Sequence, residues 1–213
     1  MMLEIKKGYK CYYKQSILNN VNLRFEPQNI YGLKGDNGSG KTVLLKLLAG
    51  IIRLDRGDVF QNGISYGKNL KYIQNAGIVI EKVEFLSYLT LKENLELLKF
   101  LSPNITNDDI DYWIDYYNLY DFENIKYNHL SLGTQQKMGL IQAFIHKPDV
   151  LLLDEPMNAL DEKSVLLTKK VILSYRDKKK GLVILTSHIS ENITDLCNEI
   201  FLLEEGEVKV VKE

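Results

Sequence analysis

The sequence has few of the features that mark secreted, membrane-spanning or nucleic-acid-binding proteins. Its two cysteines, Cys11 and Cys197, lie far apart in 213 residues, so no disulfide framework is predicted and a reducing compartment is favoured. No apolar run approaches the roughly 20 residues of a membrane-spanning helix, and the N-terminus does not have the residue order of a signal peptide. The 27 Lys and Arg residues balance 28 Asp and Glu residues, which leaves no basic excess for nucleic acid. We therefore expect a soluble cytoplasmic protein that binds no nucleic acid.

Hydrophobic residues make up 45% of the chain and charged residues 26%, a composition typical of globular proteins. Residues 3–6 and 21–25 are predicted strands, the second with apolar and polar residues in alternation. Three short apolar runs without alternation, at 78–80, 150–153 and 182–185, indicate strands of a parallel sheet that is covered on both faces. These patterns predict an α/β fold with a mainly parallel sheet and an N-terminal antiparallel β subdomain.

The strand signal disappears between residues 86 and 130, where helical patterns replace it. Thr106 and Asp109 have the spacing of a capping box, and apolar residues then recur at helical spacing. A hairpin is predicted within 199–211, around a Glu-Gly pair. We expect a single domain, residues 1–213, composed of a core that includes the β subdomain, at 1–85 and 131–213, and an inserted helical subdomain at 86–130.

Residues 35–42, GDNGSGKT, fit the phosphate-binding pattern G-x-x-x-x-G-K-[ST] between a predicted strand and a predicted helix. The helix begins at Lys41, and its apolar face is expected to continue to Ile51. Glycines let the backbone amides approach phosphate oxygens beside the positive helix N-terminus. In this pattern Lys41 meets the β and γ phosphates and the Thr42 hydroxyl ligates Mg²⁺. The sequence therefore predicts a P-loop NTPase core, with these nucleotide-binding residues: Gly35, Asp36, Asn37, Gly38, Ser39, Gly40, Lys41, Thr42 and Val43.

Two acids, Asp154 and Glu155, follow the apolar run 150–153. At the carboxyl edge of a parallel sheet they would lie beside the bound nucleotide. There Asp154 would hold Mg²⁺ through water, and Glu155 would activate the attacking water. The alternative interpretation is a solvated strand end, which the presence of the phosphate loop disfavours.

Residues 130–137, LSLGTQQK, resemble the LSGGQ signature of ATP-binding cassette (ABC) ATPases, with Leu132 and Thr134 at the two positions that differ. The physical basis is a second anion site, formed by a serine hydroxyl, a glycine backbone and a helix N-terminus. Residues 158–161 resemble the D-loop of this family, and residues 186–188 resemble its switch-histidine motif. The resemblance covers nearly the whole chain, from the first strands to the C-terminal hairpin.

This resemblance implies ATP and Mg²⁺ as cofactors and a chain that hydrolyses ATP to ADP and phosphate. The catalytic residues would be Lys41, Glu155 and His188, the last in contact with the γ-phosphate. The resemblance also implies a head-to-tail dimer with a second nucleotide-binding subunit, identical or different. The signature and D-loop residues of one subunit would close over the nucleotide of the other, and they are Ser131, Gly133 and Asp161.

The family often places an aromatic residue near the start of the chain, where it stacks on adenine. Tyr12 has the expected position, and Tyr9 and Tyr13 are the alternatives. The resemblance further implies a partner, one or more separately encoded transmembrane permease subunits, which would hold this chain at the inner face of the cell membrane. The alternative function is a soluble ABC-type ATPase of an assembly complex, such as an iron–sulfur assembly factor. A binding module without hydrolysis is disfavoured because the lysine, both acids and the histidine are all present.

One residue departs from the usual pattern, because most ABC ATPases have glutamine where this chain has Glu81. Together with residues 85–95 and the LSLG form of the signature, this glutamate resembles bacitracin-resistance and lantibiotic-immunity exporters. A carboxylate at this position has three interpretations: a contact to Mg²⁺ or its water, a contact to a basic residue of the permease, or a solvated loop acid. The subgroup resemblance implies export of a peptide antibiotic or another small molecule.

Overall fold

The structure is a computed structural model that describes residues 1–12, 15–66, 70–187 and 194–212. The strands are β1 (Leu3–Tyr12), β2 (Gln15–Phe25), β3 (Asn29–Lys34), β4 (Arg56–Gln61), β5 (Ile64–Ser65), β6 (Ala76–Val79), β7 (Val150–Leu153), β8 (Leu182–Thr186), β9 (Glu199–Glu204) and β10 (Glu207–Lys212). The helices are α1 (Lys41–Ala49), α2 (Leu91–Leu101), α3 (Asn107–Tyr116), α4 (Leu132–Phe144) and α5 (Glu162–Asp177), with short 3₁₀ helices at Tyr120–Phe122 and Tyr127–His129.

The smaller sheet is antiparallel and is built from the N-terminal third of the chain. Its strand order is β2-β1-β4-β5, and β1 pairs with β2 so that Leu3 lies opposite Phe25. Both of these side chains are fully buried, because apolar residues of the strands share one face of the sheet. The predicted N-terminal antiparallel sheet is confirmed.

The larger sheet has the order β10-β9-β3-β8-β7-β6. Strands β9, β3, β8, β7 and β6 pair in parallel, and β10 forms the predicted C-terminal hairpin with β9. Every residue of β7 and β8 is buried, as expected for central parallel strands covered on both faces. The α/β fold with a mainly parallel sheet is therefore confirmed, and the carboxyl ends of β3, β8, β7 and β6 meet at one edge.

Successive residues of β7 enter different hydrophobic clusters because side chains alternate across a strand. Val150 and Leu152 pack in the cluster that contains the leucines of α1. Leu151 and Leu153 pack in the other cluster, with α4 and the helical region. The strand is thus covered on one face by the phosphate-loop helix and on the other by the signature helix.

Helix α1 is shorter than the apolar pattern of its sequence suggests. It ends at Ala49, because Gly50 has a positive φ of 76° and ends the helix. The expectation that Ile51 lies on the buried helix face was wrong, since this side chain is 54% exposed.

The segment between β6 and α4 contains two capped helices, α2 and α3. Thr106 accepts a hydrogen bond from the Asp109 amide at the start of α3, which confirms the predicted capping box. Thr90 and Glu93 form the same motif at the start of α2. Within the described ranges, none of the helices is long and apolar enough to cross a membrane.

Candidate nucleotide-binding site

The phosphate loop connects β3 to α1 at the carboxyl edge of the larger sheet. Gly40 precedes α1 with a φ of 104°, and a Cβ at this position would lie 2.8 Å from the Ile17 side chain. Glycine is therefore required here by backbone conformation and by space. The Lys41 ammonium donates hydrogen bonds to the carbonyl oxygens of Gly35 (2.7 Å) and Asp36 (2.9 Å). The loop thus encircles the lysine and directs a positive charge toward its own concave side.

Two cavities flank this loop. The larger, about 650 Å³, lies between the loop and the β9–β10 hairpin, and the smaller, about 230 Å³, extends from the loop to the acids after β7. Ile17 lines both cavities and was not identified from the sequence. An apolar residue in an otherwise ordinary strand gives no local signal of such a position. The Ser39 hydroxyl oxygen is buried with no hydrogen-bond partner in the described part of the chain.

Asp154 lies at the end of β7, where both oxygens of its carboxylate accept hydrogen bonds. The Thr42 hydroxyl donates to Oδ2 at 2.8 Å, and the Thr186 hydroxyl donates to Oδ1 at 2.7 Å. These hydroxyls come from α1 and from the end of β8, which lie on either side of the acid. The structure therefore brings the predicted Thr42 and Asp154 into direct contact, although 112 positions separate them in sequence.

Glu155 follows with a positive φ of 47°, which an L-residue seldom adopts. Its backbone N–H donates a hydrogen bond of 2.9 Å to the Thr186 hydroxyl oxygen. Glu155 lines the small cavity beside the phosphate loop and a second cavity, of about 480 Å³, that is also lined by Glu81 and Leu132. The backbone turn thus puts Glu155 between the phosphate loop and the helix that carries the signature.

Glu81 also follows a strand of this sheet, but its carboxylate forms an ion pair with Lys46 of α1, at 2.6 Å. The Glu81 side chain is 62% exposed, whereas that of Lys46 is 25% exposed. Lys46 was not identified as a functional residue from the sequence, because a lysine in an amphipathic helix is ordinary. The ion pair ties the segment after β6 to the helix that begins at the phosphate loop.

The signature segment caps and begins α4. The Ser131 hydroxyl accepts a hydrogen bond from the Thr134 amide, as an N-cap residue does. A Cβ on Gly133 would lie 2.6 Å from the Ala159 carbonyl oxygen, so only glycine allows this close approach. Gln136 extends the contact, since its amide donates to the carbonyl oxygen of Pro156 at 3.2 Å. The signature helix and the loop after β7 are consequently packed as one unit.

Asp161 ends this loop and caps α5. Its carboxylate accepts hydrogen bonds from the amide and the hydroxyl of Ser164, at 2.9 and 2.8 Å, and forms an ion pair with Lys137 at 3.1 Å. The hydrogen bond from the Ser164 amide, then the Ser164 hydroxyl and Lys137, holds the pKa of Asp161 well below its usual range. Asp161 is thus ionised under ordinary conditions and connects α4 to α5.

Comparison with known proteins identifies the family. The family model described as ABC transporter matches residues 18–158, well over half of the chain, from β2 to the loop after Glu155. This chain belongs to the ABC transporter family. An uncharacterized ABC transporter ATP-binding protein of Bacillus subtilis is 35% identical over 98% of this chain and 95% of its own length. The chain is accordingly an ATP-binding subunit of that family.

Two further comparisons bear on this ABC subunit. The bacitracin transport ATP-binding protein BcrA of Enterococcus faecalis is 28% identical over 96% of this chain and 67% of its own length. A solved ATP-binding cassette, dimeric in a post-hydrolysis state with ADP and Pi, superposes with a TM-score of 0.86 at 22% identity and covers 99% of this chain and 98% of that chain. At this identity the superposition shows the ABC cassette fold.

Two predicted site residues of the ABC subunit remain, Tyr12 and His188. Tyr12 is at the end of β1, 40% exposed, and its ring lies 5.2 Å from the Lys10 ammonium. Its stacking on adenine stays a prediction, as do the alternatives at Tyr9 and Tyr13, the last of which falls outside the described residues. His188 also lies outside the described residues, so its γ-phosphate contact remains a prediction.

Proposed function

We propose that this chain hydrolyses ATP to ADP and phosphate, in a dimer of nucleotide-binding subunits, to power a membrane permease. The observation that carries the proposal is the hydrogen-bonded network at the sheet edge, in which the phosphate-loop Thr42 and the strand-end Thr186 hold the carboxylate of Asp154. A carboxylate fixed against the phosphate loop, with a second acid directly after it, is the arrangement that phosphoryl transfer to water needs.

The residues present fit a magnesium ion bound with the nucleotide. The Thr42 hydroxyl and the Asp154 carboxylate are hard oxygen donors 2.8 Å apart beside the loop, and Mg²⁺ prefers such ligands. The ion would neutralise phosphate charge, and Glu81 is a third candidate ligand on the neighbouring strand end. The described residues contain no group of three or more His, Cys, Asp or Glu side chains that could hold a metal. We therefore assign the primary role to Thr42 and Asp154 together with the nucleotide's own oxygens.

In this mechanism the protein mainly supplies position and charge. Backbone amides at the start of α1 bind the phosphates, and the Lys41 ammonium stabilises the negative charge that develops on the transferred group. Glu155 orients the attacking water and accepts its proton, while His188 would contact the γ-phosphate. Preorganised groups of this kind account for most of the acceleration in phosphoryl transfer, because little covalent work is left to the protein.

We infer that the active form is a dimer in which Ser131 and Gly133 of one subunit contact the nucleotide on the phosphate loop of the other. Both residues lie at the N-terminus of α4, which presents its amides and positive dipole end. Leu132, between them, is 68% exposed, which suits a surface that becomes covered on dimerisation. The dimeric ABC cassettes among the structural neighbours support this arrangement.

The permease partner is supported by apolar side chains that the isolated chain leaves exposed at the end of α2. Phe100 and Leu101 are 85% and 82% exposed. Leu101 lines a cavity of about 270 Å³, together with Leu98, Ile105 and Ile145. Adjacent exposed apolar side chains beside a cavity are typical of a protein interaction site. We propose that a segment of the membrane subunit docks here and holds the chain at the inner face of the membrane.

The proposed cargo is a peptide antibiotic or another small molecule that is exported. The relative named for bacitracin transport and the glutamate at position 81 support this class. The alternative, an assembly ATPase without a membrane partner, differs in one measurable way. When the wild-type chain is affinity-purified from membranes in mild detergent, a multi-span permease should be recovered with it. Recovery of a soluble assembly complex instead would favour the alternative.

A matched variant tests the docking surface. Replacing Phe100 and Leu101 with serine should abolish permease recovery while the ATPase rate of the isolated chain stays unchanged. Leu166→Ser is the control, because Leu166 is 60% exposed on α5 and lies outside the proposed surface. Equal loss of permease with both variants would contradict the docking site.

Hydrolysis itself is tested with the purified chain and Mg-ATP. Lys41→Ala should abolish ATPase activity with the fold intact, because the main side-chain charge at the β and γ phosphates is lost. Lys170→Ala, at an exposed position of α5, should match wild type.

Glu155→Gln keeps the side-chain size and removes the proton acceptor, so ATP should bind, stay unhydrolysed and hold the dimer together during size exclusion. Hydrolysis at the wild-type rate by Lys41→Ala, or by a Glu155→Gln variant that stays monomeric, would contradict the mechanism.

A further inference from the structure

Thr186 is a fully buried polar residue at the carboxyl end of a strand that is otherwise apolar. The other four residues of β8, at 182–185, are leucine, valine and isoleucine and are fully buried. A hydroxyl group in such surroundings is costly unless it is hydrogen-bonded. Thr186 satisfies this requirement entirely through the two acids of the neighbouring strand end, since its hydroxyl donates to Asp154 Oδ1 (2.7 Å) and accepts from the Glu155 amide (2.9 Å).

The strand register explains this position. Strands β7 and β8 pair in parallel with Leu153 level with Leu185, so Thr186 lies level with Asp154. On its other side β8 pairs with β3, and Thr186 lies level with Leu33, just before the phosphate loop. A side chain at this point can therefore reach the acids from inside the sheet, while Thr42 reaches Asp154 from the side of the phosphate loop.

We propose that Thr186 is a positioning residue for hydrolysis, one that orients both the metal-binding and the water-activating acid. The inference rests on the ATPase function proposed above. One hydroxyl on each oxygen of Asp154 stops its carboxylate from rotating. The bond to the Glu155 amide stabilises a backbone turn with a φ of 47°, from which the Glu155 side chain enters the cavity. One hydroxyl group thus sets the relative position of two acids that act on different atoms.

A purely structural role is the competing explanation, and the chain provides a matched residue to separate the two. Thr168 of α5 is also fully buried, and its hydroxyl also makes two hydrogen bonds, to the Ser164 carbonyl oxygen (2.8 Å) and to the Tyr117 hydroxyl (2.9 Å). Threonine to valine at either site removes a hydroxyl of equal burial and equal bonding with almost no change in shape. Of these two threonines, Thr186 bonds to the acids and Thr168 bonds to Ser164 and Tyr117.

The experiment compares Thr186→Val, Thr186→Ser and Thr168→Val in steady-state ATPase assays, with nucleotide affinity measured separately by a fluorescent ATP analogue. Thr186→Val should lower kcat by roughly 10- to 100-fold, the effect of losing hydrogen bonds to a charged catalytic group. Its KM and its nucleotide affinity should stay within about threefold of wild type, because Lys41 and the phosphate loop are unchanged. Thr186→Ser should have most of the wild-type kcat. Thr168→Val should have the wild-type kcat, although both valine variants should lose thermal stability because each loses a buried hydrogen-bonded hydroxyl.

Three outcomes overturn the inference: a kcat for Thr186→Val equal to that of Thr168→Val, a loss that appears in KM alone, or a Thr186→Ser variant as slow as Thr186→Val. If Thr186→Val does not fold, Thr186→Ala replaces it, because alanine removes the hydroxyl without placing a methyl group against the carboxylate. Absence of ATPase activity in the wild-type protein contradicts the proposed function instead, so the two failures are distinguishable.

Discussion

Strands β6 and β7 are neighbours in the same parallel sheet, and each is followed by an acid that the sequence makes a candidate for contact with Mg²⁺. The two acids end up in different environments. Asp154, directly after β7, accepts hydrogen bonds from two hydroxyls, one of them on a fully buried residue. Glu81, two positions after β6, extends an exposed carboxylate to Lys46. The comparison teaches that position at a strand end does not by itself fix a carboxylate, because the groups that surround the carboxylate decide how firmly it is held.

The physical difference lies in solvent access. Neutral hydroxyl donors in a half-buried site hold a carboxylate in one orientation, and salt does not screen them. An ion pair on an exposed surface is worth at most about 1 kcal/mol and weakens as ionic strength rises. We therefore expect the β7 end to be sensitive to small chemical changes and the β6 end to tolerate them.

The largest effect should come from Asp154→Asn. Asparagine keeps the size and one acceptor oxygen, so the fold should survive, but the negative charge that draws Mg²⁺ is lost. We expect kcat to fall by roughly 10²- to 10³-fold, the range for loss of one preorganised electrostatic contact. Circular dichroism would show whether the fold survives, and steady-state ATPase assays would measure kcat. A decrease of only a few fold, equal to that of Glu81→Gln, would remove the contrast between the two strand ends.

An intermediate effect should come from Gly133 of α4, which packs against the loop after β7. Gly139 of the same helix packs against the loop after β6 and provides the comparison. Gly133→Ala would put its Cβ 2.6 Å from the Ala159 carbonyl oxygen, in the loop after β7. Because this contact is too short, the backbone of α4 or of the loop must shift. Gly139→Ala would put its Cβ 3.3 Å from a side-chain methyl of Val83, after β6, where a small adjustment suffices. We expect Gly133→Ala to lower the free energy of unfolding of the protein by about 1–3 kcal/mol.

Gly139→Ala is the control for this pair. The added methyl group crowds Val83, but alanine has a better helix propensity than glycine by about 1 kcal/mol. The net change in the free energy of unfolding should therefore be near zero. Urea unfolding of both variants measures the difference in the free energy of unfolding. Equal destabilisation by the two substitutions would mean that α4 is held equally by both loops.

The smallest effect should come from Glu81→Gln. Loss of the ion pair with Lys46 should change the free energy of unfolding by less than about 1 kcal/mol after screening by solvent. ATP affinity should stay within several fold, and the difference from wild type should shrink at high salt. Lys46→Met tests the pair from the other side and should give the same salt dependence.

Glu81→Gln also separates the three interpretations of this acid. ATPase rates with and without the reconstituted permease are the deciding measurement. A changed basal rate indicates contact with metal or water, a change only in stimulation indicates contact with the permease, and wild-type rates and transport in both cases indicate a solvated acid whose ion pair has no functional role.

Much of the fold was predictable because its signals are local. The apolar runs at 150–153 and 182–185 predicted β7 and β8, and the Thr106 capping box predicted the start of α3. Ile51 was the exception, since a glycine with positive φ ended α1 earlier than the apolar pattern did. A continuous apolar face does not reveal where a helix stops.

For the candidate site, the sequence by itself determined the chemistry: the phosphate loop, the two acids and the signature segment each consist of consecutive residues with a fixed pattern. Only the tertiary structure decided which groups hold these residues. Thr186 bonds to Asp154 across 32 positions, Lys46 reaches Glu81 across 35, and Gly133 faces Ala159. The physical reason is strand order. Strands β3, β8, β7 and β6 are adjacent in space, but long segments of the chain separate them in sequence, so contacts at their shared edge leave no local pattern.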